Sequence, residues 1–231
     1  MQAIVAIGGG EMRYGETRAI DAYIVSLSDA PAPRVLFIPT ASGDLQAYID
    51  CFTREYNALG CSVDTLYLYG SRADTDEAIA AKFAAADIVY VGGGDTEMML
   101  ARWRKRGVDA HLRAACARGV IFSGLSAGAL CWFAHGMTDR PVDDDLIPVW
   151  MDGMNLVPFS LGVHYDEPFW QQLDGFVARQ DTPAIALENG VALSIIDGRM
   201  TIVRAREEGC AWLLRPEGGQ LRKTRYDGGG I

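Results

Sequence analysis

Short apolar runs alternate with amphipathic segments along most of the chain, and the two differ in the spacing of their hydrophobic positions. Residues 3–7 and 34–38 are almost entirely apolar, which is typical of core strands. Residues 16–28 lie between them and repeat apolar positions every three or four residues, which predicts an amphipathic helix. The alternation predicts consecutive strand–helix–strand units, and hence an α/β protein built on a mostly parallel sheet with helices on both faces.

The same patterns extend through the rest of the chain. They predict strands at 63–67, 87–91, 119–122, 184–187 and 191–196, and helices at 45–59, 76–85 and from Thr96 onward, with a break at Gly107. Asp197-Gly198 is typical of a two-residue hairpin turn and leads into a strand at 200–203. The acidic, proline-containing stretch 139–152 predicts a loop over the carboxyl edge of the sheet. We therefore expect a single domain, residues 1–226, followed by a flexible tail, 227–231.

Composition and charge argue against several classes of protein. Hydrophobic residues make up 49% of the 231-residue chain, as in packed globular proteins, and no apolar stretch reaches the roughly 18 residues of a membrane span. The net charge of -9 repels nucleic-acid phosphates and anionic membranes, so neither is an expected partner. The N-terminus lacks the basic segment of a secretory signal, and the five cysteines are scattered. We therefore expect a cytoplasmic protein with reduced cysteines.

One pentapeptide, Gly124-Leu125-Ser126-Ala127-Gly128, matches the pattern G-x-S-x-G between a predicted strand and a helix-compatible run. In that context the pattern is typical of a nucleophile elbow, a sharp turn that small residues allow to close and that presents serine above the sheet. The start of the following helix favours negative charge. Ser126 is therefore the candidate nucleophile, and a tight strand-to-helix turn without a chemical role is the alternative.

A serine nucleophile needs a base, and the chain contains three histidines. His135 lies on the helix that is predicted to begin at Ser126, about 13 Å along it at roughly 1.5 Å per residue. His111 lies deep in the preceding helical stretch, which is expected to lead to the opposite edge of the sheet. His164 instead ends an extended segment, 155–163, that returns from the acidic excursion. It is therefore the histidine that we expect to reach Ser126.

The third member of such a site accepts a hydrogen bond from the second imidazole nitrogen, and two carboxylates are candidates. Glu188 ends a predicted strand, and the Asn189-Gly190 turn that follows would leave its carboxylate at the same edge. Asp166 lies two residues after His164, a spacing that places both side chains on one face of an extended segment. The residues alone leave both open, and for Asp166 they also leave open a contact to a substrate ammonium group.

A glycine-rich turn supplies candidate donors for an oxyanion. Gly93 and Gly94 follow the predicted strand 87–91 and precede a helix, so their N–H groups are expected beside Ser126. Glycine lets the backbone approach an oxyanion closely, and the N–H of Ala127 would be a further donor. The alternative interpretation is a glycine-rich helix cap.

Together these segments resemble the peptidase E family of serine peptidases, the aspartyl dipeptidases, which are distant relatives of the class I glutamine amidotransferases and of cyanophycinase. Residues 93–96 resemble the family's Gly-Gly-Asn-Thr oxyanion segment, and 124–129 its G-x-S-A-G-A nucleophile turn. Residues 155–158 resemble the stretch leading to its catalytic histidine, and 186–190 the segment that holds its catalytic glutamate. The resemblance implies a triad of Ser126, His164 and Glu188, and a class I glutamine amidotransferase-like, flavodoxin-like three-layer fold with a C-terminal β-hairpin.

Two departures from the family pattern bear on the substrate. Asp95 stands where the family has asparagine and adds charge near the oxyanion side. No arginine follows His164 until Arg179, whereas an arginine soon after the histidine is thought to bind the substrate carboxylate in the aspartyl dipeptidases. The acidic and aromatic residues at this edge suit a cationic or aromatic group at least as well. The expected substrate contacts are Asp95, Thr96, Tyr165 and Asp166.

The sequence thus predicts a serine exopeptidase that hydrolyses dipeptides or short peptides, with N-terminal aspartate as one candidate specificity. A cyanophycinase-like isopeptide or amide hydrolase uses the same chemistry and is the enzymatic alternative. A catalytically silent, amidotransferase-like module that binds a small ligand or a partner is the non-enzymatic one. No metal or organic cofactor is implied. The expected partners are a small peptide substrate and, as in some family members, a second copy of the chain in a homodimer.

Overall fold

Two β-sheets organise the chain in the computed structural model, which describes residues 2–230. Met1 and Ile231, the last residue of the predicted tail, lie outside the described residues. The strands are β1 (Ala3–Ile7), β2 (Arg34–Ile38), β3 (Ser62–Thr65), β4 (Ile88–Val91), β5 (Ile121–Leu125), β6 (Phe133–Val142), β7 (Asp145–Asp152), β8 (Val157–Gly162), β9 (Ala184–Leu187), β10 (Val191–Ile196), β11 (Arg199–Arg204), β12 (Ala211–Glu217) and β13 (Gln220–Arg225). The helices are α1 (Arg18–Ser26), α2 (Gln46–Ala58), α3 (Asp76–Ala85), α4 (Thr96–Arg106), α5 (Val108–Ala117), α6 (Ala127–Leu130) and α7 (Leu173–Val177).

The first sheet is mostly parallel and has the order β11-β10-β1-β5-β4-β2-β3. Five of its strands run parallel, while β10 and β11 are antiparallel to their neighbours. Helices α1 and α2 bury Ile24 and Phe52 against one face, and α3 and α4 bury Phe83 and Trp103 against the other. The predicted α/β architecture with helices on both faces is confirmed. No helix within residues 2–230 is long and apolar enough to cross a membrane.

The second sheet departs from the prediction over residues 133–152. The expected loop is a hairpin of β6 and β7, which meet at a turn of Asp143 and Asp144. Helix α6 ends at Leu130, so His135 lies on a strand rather than on a helix, and its imidazole contacts Asp152 at 2.9 Å. An apolar run this short does not distinguish helix from strand, so pairing with β7 and β8 decides the outcome. Pro148 is tolerated because β7 is an edge strand, and Pro141 is tolerated because β6 pairs with β8 only as far as Gly136.

The order of the second sheet, β13-β12-β9-β8-β6-β7, brings the ends of β8 and β9 to the carboxyl edge of the first sheet. The hairpin turn predicted at Asp197-Gly198 joins β10 to β11 of the first sheet, and the C-terminal hairpin is formed by β12 and β13. Backbone hydrogen bonds join the two sheets at this edge: the His164 N–H donates to the Gly8 carbonyl at 3.0 Å, and the Gly190 N–H donates to the Gly9 carbonyl at 2.9 Å. Segments that follow β1, β5, β8 and β9 therefore meet in one place.

Candidate active site

Ser126 occupies a strained turn between β5 and α6. Its backbone angles are φ 55° and ψ -114°, which a non-glycine residue adopts only where the surroundings hold it. The Ser126 N–H donates to the Ile7 carbonyl at 3.0 Å, and the Leu130 N–H donates to the Ser126 carbonyl at 2.9 Å. A Cβ on Gly124 would lie 2.1 Å from the Gly128 carbonyl oxygen, so the turn closes only with glycine there. This is the geometry of a nucleophile elbow.

Gly128 is the other glycine of the elbow. A Cβ there would lie 2.1 Å from the carbonyl oxygen of Val91, so Gly128→Ala must push α6 away from β4. We expect this change to lower the free energy of unfolding by about 3 kcal/mol, measured by urea unfolding. Gly175→Ala is the matched control, because a Cβ on Gly175 in α7 would lie 3.7 Å from the Arg179 Nη1, an ordinary contact, and alanine favours a helix. Equal unfolding midpoints for the two variants would contradict the tight packing of the elbow.

His164 contacts Ser126 directly. Its Nε2 lies 2.8 Å from the Ser126 Oγ, a hydrogen-bond distance, and its side chain is 19% exposed. The residue sits just beyond β8 with a positive φ of 50°. A Cβ on Gly9 would lie 2.3 Å from the His164 Nδ1, so the glycine leaves the space that the imidazole occupies. Of the other two histidines, His111 stacks on Phe83.

The second imidazole nitrogen of His164 contacts an amide rather than a carboxylate. Its Nδ1 lies 2.7 Å from the Oδ1 of Asn189, whose Nδ2 donates to the Oε1 of Glu167 at 2.9 Å. A carboxylate only accepts hydrogen bonds, so the amide nitrogen must face Glu167 and the amide oxygen must face His164. In neutral His164 the proton therefore lies on Nδ1, which leaves Nε2 as an acceptor for the Ser126 hydroxyl.

The structure does not bring Glu188 to His164, contrary to the prediction. The Glu188 carboxylate accepts the Cys210 N–H at 2.9 Å and the Trp212 indole N–H at 3.1 Å, and so attaches the end of β9 to the start of β12. Successive side chains of an extended segment point to opposite sides. When Glu188 faces β12, Asn189 faces His164. In the sequence Asn189 appears only as a turn residue, and alternation indicates that one of positions 188 and 189 faces the imidazole without indicating which.

Asp166, the other candidate, contacts the backbone of Asn189 instead of the imidazole. Its Oδ1 accepts the Asn189 N–H at 2.8 Å, and its Oδ2 accepts a hydrogen bond from Arg206 at 2.8 Å. Partial burial raises the pKa of Asp166, but the Asn189 N–H and the Arg206 guanidinium outweigh it and hold this pKa below its ordinary value. Asp166 and Glu167 thus hold Asn189 by its backbone and its side chain.

Backbone donors lie on the other side of Ser126. The N–H groups of Gly94 and Ala127 donate to no acceptor within residues 2–230. A Cβ on Gly94 would lie 2.2 Å from the Ala41 carbonyl oxygen, so only glycine fits there. Gly93 is next to the nucleophile, because a Cβ on it would lie 3.4 Å from the Ser126 Cβ. Gly94 and Ala127 thus offer the free N–H donors that an oxyanion hole requires, whereas the Gly93 N–H, also predicted as a donor, donates to the Tyr48 hydroxyl at 3.3 Å.

Three of the four predicted substrate contacts do not line the cavity that contains Ser126, and other residues satisfy their polar groups. Asp95 caps α4 by accepting the Met98 N–H at 2.9 Å, Thr96 is buried against Thr138, and the buried Tyr165 hydroxyl donates to Asp174. None of these three is among the residues that line the cavity at Ser126, whereas Asp166 is. Aspartate is a preferred N-cap residue, which accounts for Asp95.

The cavity that contains Ser126 and His164 has a volume of about 1030 Å³. Its walls come from the segment 10–16, from α2 and from the turn at Asn189. Every arginine that lines it is paired with a carboxylate. The pairs are Arg13 with Glu11 at 3.0 Å, Arg54 with Glu55 at 3.0 Å and Arg206 with Asp166 at 2.8 Å. A substrate carboxylate would have to compete with these partners.

Known proteins resemble this chain in sequence and in fold. The uncharacterized peptidase YgaJ of Bacillus subtilis is 39% identical over 140 residues, 60% of each chain, and peptidase E of Citrobacter koseri is 37% identical over 87 residues, 37% of each chain. The matched part is thus less than two thirds of either relative. The crystal structure of a peptidase from an acI-B1 Actinobacterium has a TM-score of 0.72, covers 100% of this chain and 96% of that one, and is 16% identical, a likeness of fold.

A family model covers most of the chain. Residues 4–203 match the model of peptidase family S51, a span that includes Ser126, His164 and Asn189. The resemblance to the peptidase E family that the motifs indicated is confirmed by this match and by the curated relatives. The chain belongs to peptidase family S51.

Proposed function

We propose that this protein is a serine peptidase that hydrolyses dipeptides or short peptides, with Ser126 as the nucleophile and His164 as the general base. The observation that carries the proposal is the 2.8 Å contact between the Ser126 Oγ and the His164 Nε2 on a strained elbow. A nucleophile and a base within hydrogen-bond reach, with the base held by a third group, are what acyl transfer requires. Membership of peptidase family S51 supports the same reaction.

The reaction would proceed through an acyl-enzyme. The Ser126 Oγ bonds to the carbonyl carbon while its proton passes to the His164 Nε2, and the N–H groups of Gly94 and Ala127 stabilise the negative oxygen. The C–N bond then breaks, and the His164 proton goes to the leaving amine. Water next gives a proton to His164 and attacks the ester. Collapse returns that proton to Ser126 and releases the acid.

Asn189 is the positioning residue in this proposal, in place of Glu188. Its Oδ1 accepts from the His164 Nδ1 at 2.7 Å and so maintains the orientation that keeps Nε2 aimed at Ser126. An amide carries no net charge, whereas the imidazolium that forms on His164 during the reaction needs a negative charge nearby. Glu167 supplies it, because its Oε1 lies 3.6 Å from the His164 Nδ1. A neutral amide backed by a carboxylate would thus replace a single carboxylate.

The proposed substrates are short peptides without strict selection for N-terminal aspartate. A cavity of about 1030 Å³ with walls from the segment 10–16 and from α2 supports a small ligand. The pairing of its arginines argues against selection for an acidic side chain. All five cysteines are free, the state that a reducing compartment maintains, which supports a cytoplasmic location as part of the proposal.

Labelling with a fluorophosphonate tests the nucleophile. We expect one adduct on Ser126 in the folded protein, identified by peptide mass spectrometry, and none after unfolding in urea, because the reagent needs the deprotonating contact with His164. A panel of dipeptides with acidic, neutral, basic and aromatic N-terminal residues then measures hydrolysis. We expect cleavage of non-acidic members at least as fast as of Asp-containing ones. Absence of the adduct would overturn the proposal in favour of a binding module.

A further inference from the structure

We infer that the hydroxyl group of Tyr48 is a further hydrogen-bond donor to the oxyanion, which makes Tyr48 a catalytic residue. This inference rests on the proposed peptidase reaction and extends it to a residue of α2 that belongs to none of the motifs. The reacting group that it would contact is the carbonyl oxygen of the peptide bond under attack, in its negatively charged, tetrahedral form.

The Tyr48 ring is held against the glycine turn that follows β4. It packs edge-on against the buried Phe37, with ring centroids 5.2 Å apart. A Cβ on Gly92 would lie 2.8 Å from the Tyr48 Cε1, so the ring uses space that only glycine leaves open. These contacts fix the direction of the ring, and with it the position of the hydroxyl group. Tyr48 also lines the cavity that contains Ser126.

The Tyr48 hydroxyl has one hydrogen-bond role filled and one open. The Gly93 N–H donates to its oxygen at 3.3 Å, while its own hydrogen reaches no acceptor within residues 2–230. A phenol that accepts one hydrogen bond can still donate its own proton. Accepting from Gly93 polarises the O–H bond and makes it a better donor. The open role is therefore that of a donor directed at the cavity.

The hydroxyl lies on the oxyanion side of Ser126. A Cβ placed on its partner Gly93 would lie 3.4 Å from the Ser126 Cβ. The next residue is Gly94, whose N–H donates to no acceptor within residues 2–230. A carbonyl oxygen that accepts from Gly94 and Ala127 therefore lies near the Tyr48 hydroxyl. His164 contacts the Ser126 Oγ from the other side, where the proton leaves, and Asn189 contacts the far nitrogen of that imidazole.

The hydroxyl remains protonated under the conditions in which a peptidase works. Burial raises the pKa of Tyr48 above its ordinary value, and the hydrogen bond from Gly93 offsets this only in part. A neutral donor is what an oxyanion requires, since a phenolate would repel it. The hydrogen bond strengthens as negative charge develops, so it stabilises the transition state more than the bound substrate.

Tyr48→Phe removes the donor and keeps the ring. We expect kcat for dipeptide hydrolysis to fall about 100-fold or more while KM stays within about twofold, since removal of one oxyanion donor costs about 100- to 1,000-fold in kcat. The affinity for a peptide boronic acid, whose adduct with Ser126 is tetrahedral, should fall by a similar factor. If Tyr48 only supported the Gly93 turn, Tyr48→Phe would instead change stability. It would then leave the ratio of boronic acid affinity to substrate affinity unchanged.

Tyr23→Phe is the matched control. The Tyr23 hydroxyl is also partly buried and has one partner, the Ser194 Oγ at 2.9 Å, and Tyr23 does not line the cavity. We expect this variant to retain the kcat of the unchanged protein. Should Tyr48→Phe not fold, 3-fluorotyrosine at position 48 keeps the hydroxyl and makes it more acidic. An unchanged kcat in that protein would then overturn the inference.

The outcomes separate this inference from the proposed function. If the unchanged protein forms no fluorophosphonate adduct and cleaves no dipeptide, the peptidase proposal itself fails. If the unchanged protein is active and Tyr48→Phe matches it in kcat and in boronic acid affinity, only the role of Tyr48 is overturned. A rise in KM with unchanged kcat would also overturn it, because it would assign Tyr48 to substrate binding alone.

Discussion

Ser126→Ala is expected to lower kcat for dipeptide hydrolysis by about 10⁴-fold or more while the protein remains folded. Without the Oγ no acyl-enzyme forms. The remaining rate is the residual catalysis by the backbone donors of Gly94 and Ala127, which still bind the carbonyl oxygen. Alanine also fits the space of serine. Steady-state kinetics, with circular dichroism as the measure of folding, check this expectation.

Ser123→Ala is the control for this experiment. Ser123 lies on the same strand, β5, and its buried hydroxyl donates to the Val5 carbonyl at 3.0 Å, so its loss affects stability and not the cavity. We expect Ser123→Ala to keep a kcat close to that of the unchanged protein. Substrate affinity should persist in Ser126→Ala and can be measured by calorimetry. Retention of kcat within about tenfold in Ser126→Ala would show that the nucleophile lies elsewhere.

Asn189→Ala is expected to lower kcat about 100-fold, whereas Glu188→Gln should lower it less than threefold. The alanine variant leaves the His164 Nδ1 without its acceptor, so the imidazole loses the orientation that directs Nε2 at Ser126. Glu188 contacts Cys210 and Trp212, so its replacement affects the packing of β9 on β12 and not the imidazole. Kinetics and urea unfolding of both variants separate activity from stability.

Two further variants distinguish a positioning role of Asn189 from a structural one. Asn189→Asp combined with Glu167→Gln keeps an oxygen acceptor toward His164 and an amide donor for the new carboxylate, and we expect it to recover kcat to within about tenfold of the unchanged protein. Glu167→Gln keeps a hydrogen-bond acceptor for the Asn189 amide but removes the negative charge, and it should lower kcat about tenfold. If Glu188→Gln lost as much activity as Asn189→Ala, the role that the family resemblance implies for Glu188 would stand and our assignment would be wrong.

The predictable part of the fold is the part with a clear periodicity. The strands from β1 to β5 and the helices α1 to α5 follow their hydrophobic patterns, and Gly107 does separate α4 from α5 with a positive φ of 67°. The hairpin of β6 and β7 was not predicted from the sequence. In its exposed half, next to the turn, β6 and β7 pair only with each other. That half shows no alternation between a buried and an exposed face, and its acidic residues and prolines resemble a loop.

At the site, motif and composition were enough to predict Ser126 and His164 as the candidate pair. Ser126 followed from a motif whose strand and helix are local, and His164 followed from elimination among three histidines. The first conclusion depended on short-range geometry, which a sequence expresses directly. The second assumed that His135 lies on a helix, whereas the structure places it on β6, away from Ser126 and beside Asp152. Family membership likewise depends on the order of such motifs along the chain.

The group that holds His164 depends on long-range packing. Asn189 and His164 are 25 positions apart, and whether position 188 or position 189 faces the imidazole depends on how β9 pairs with β8 and β12. A shift of one residue reverses the side to which each side chain points, and no local pattern marks that choice. The approach of Tyr48 to Gly93 is likewise a contact between distant segments, made possible by the packing of α2 on the sheet.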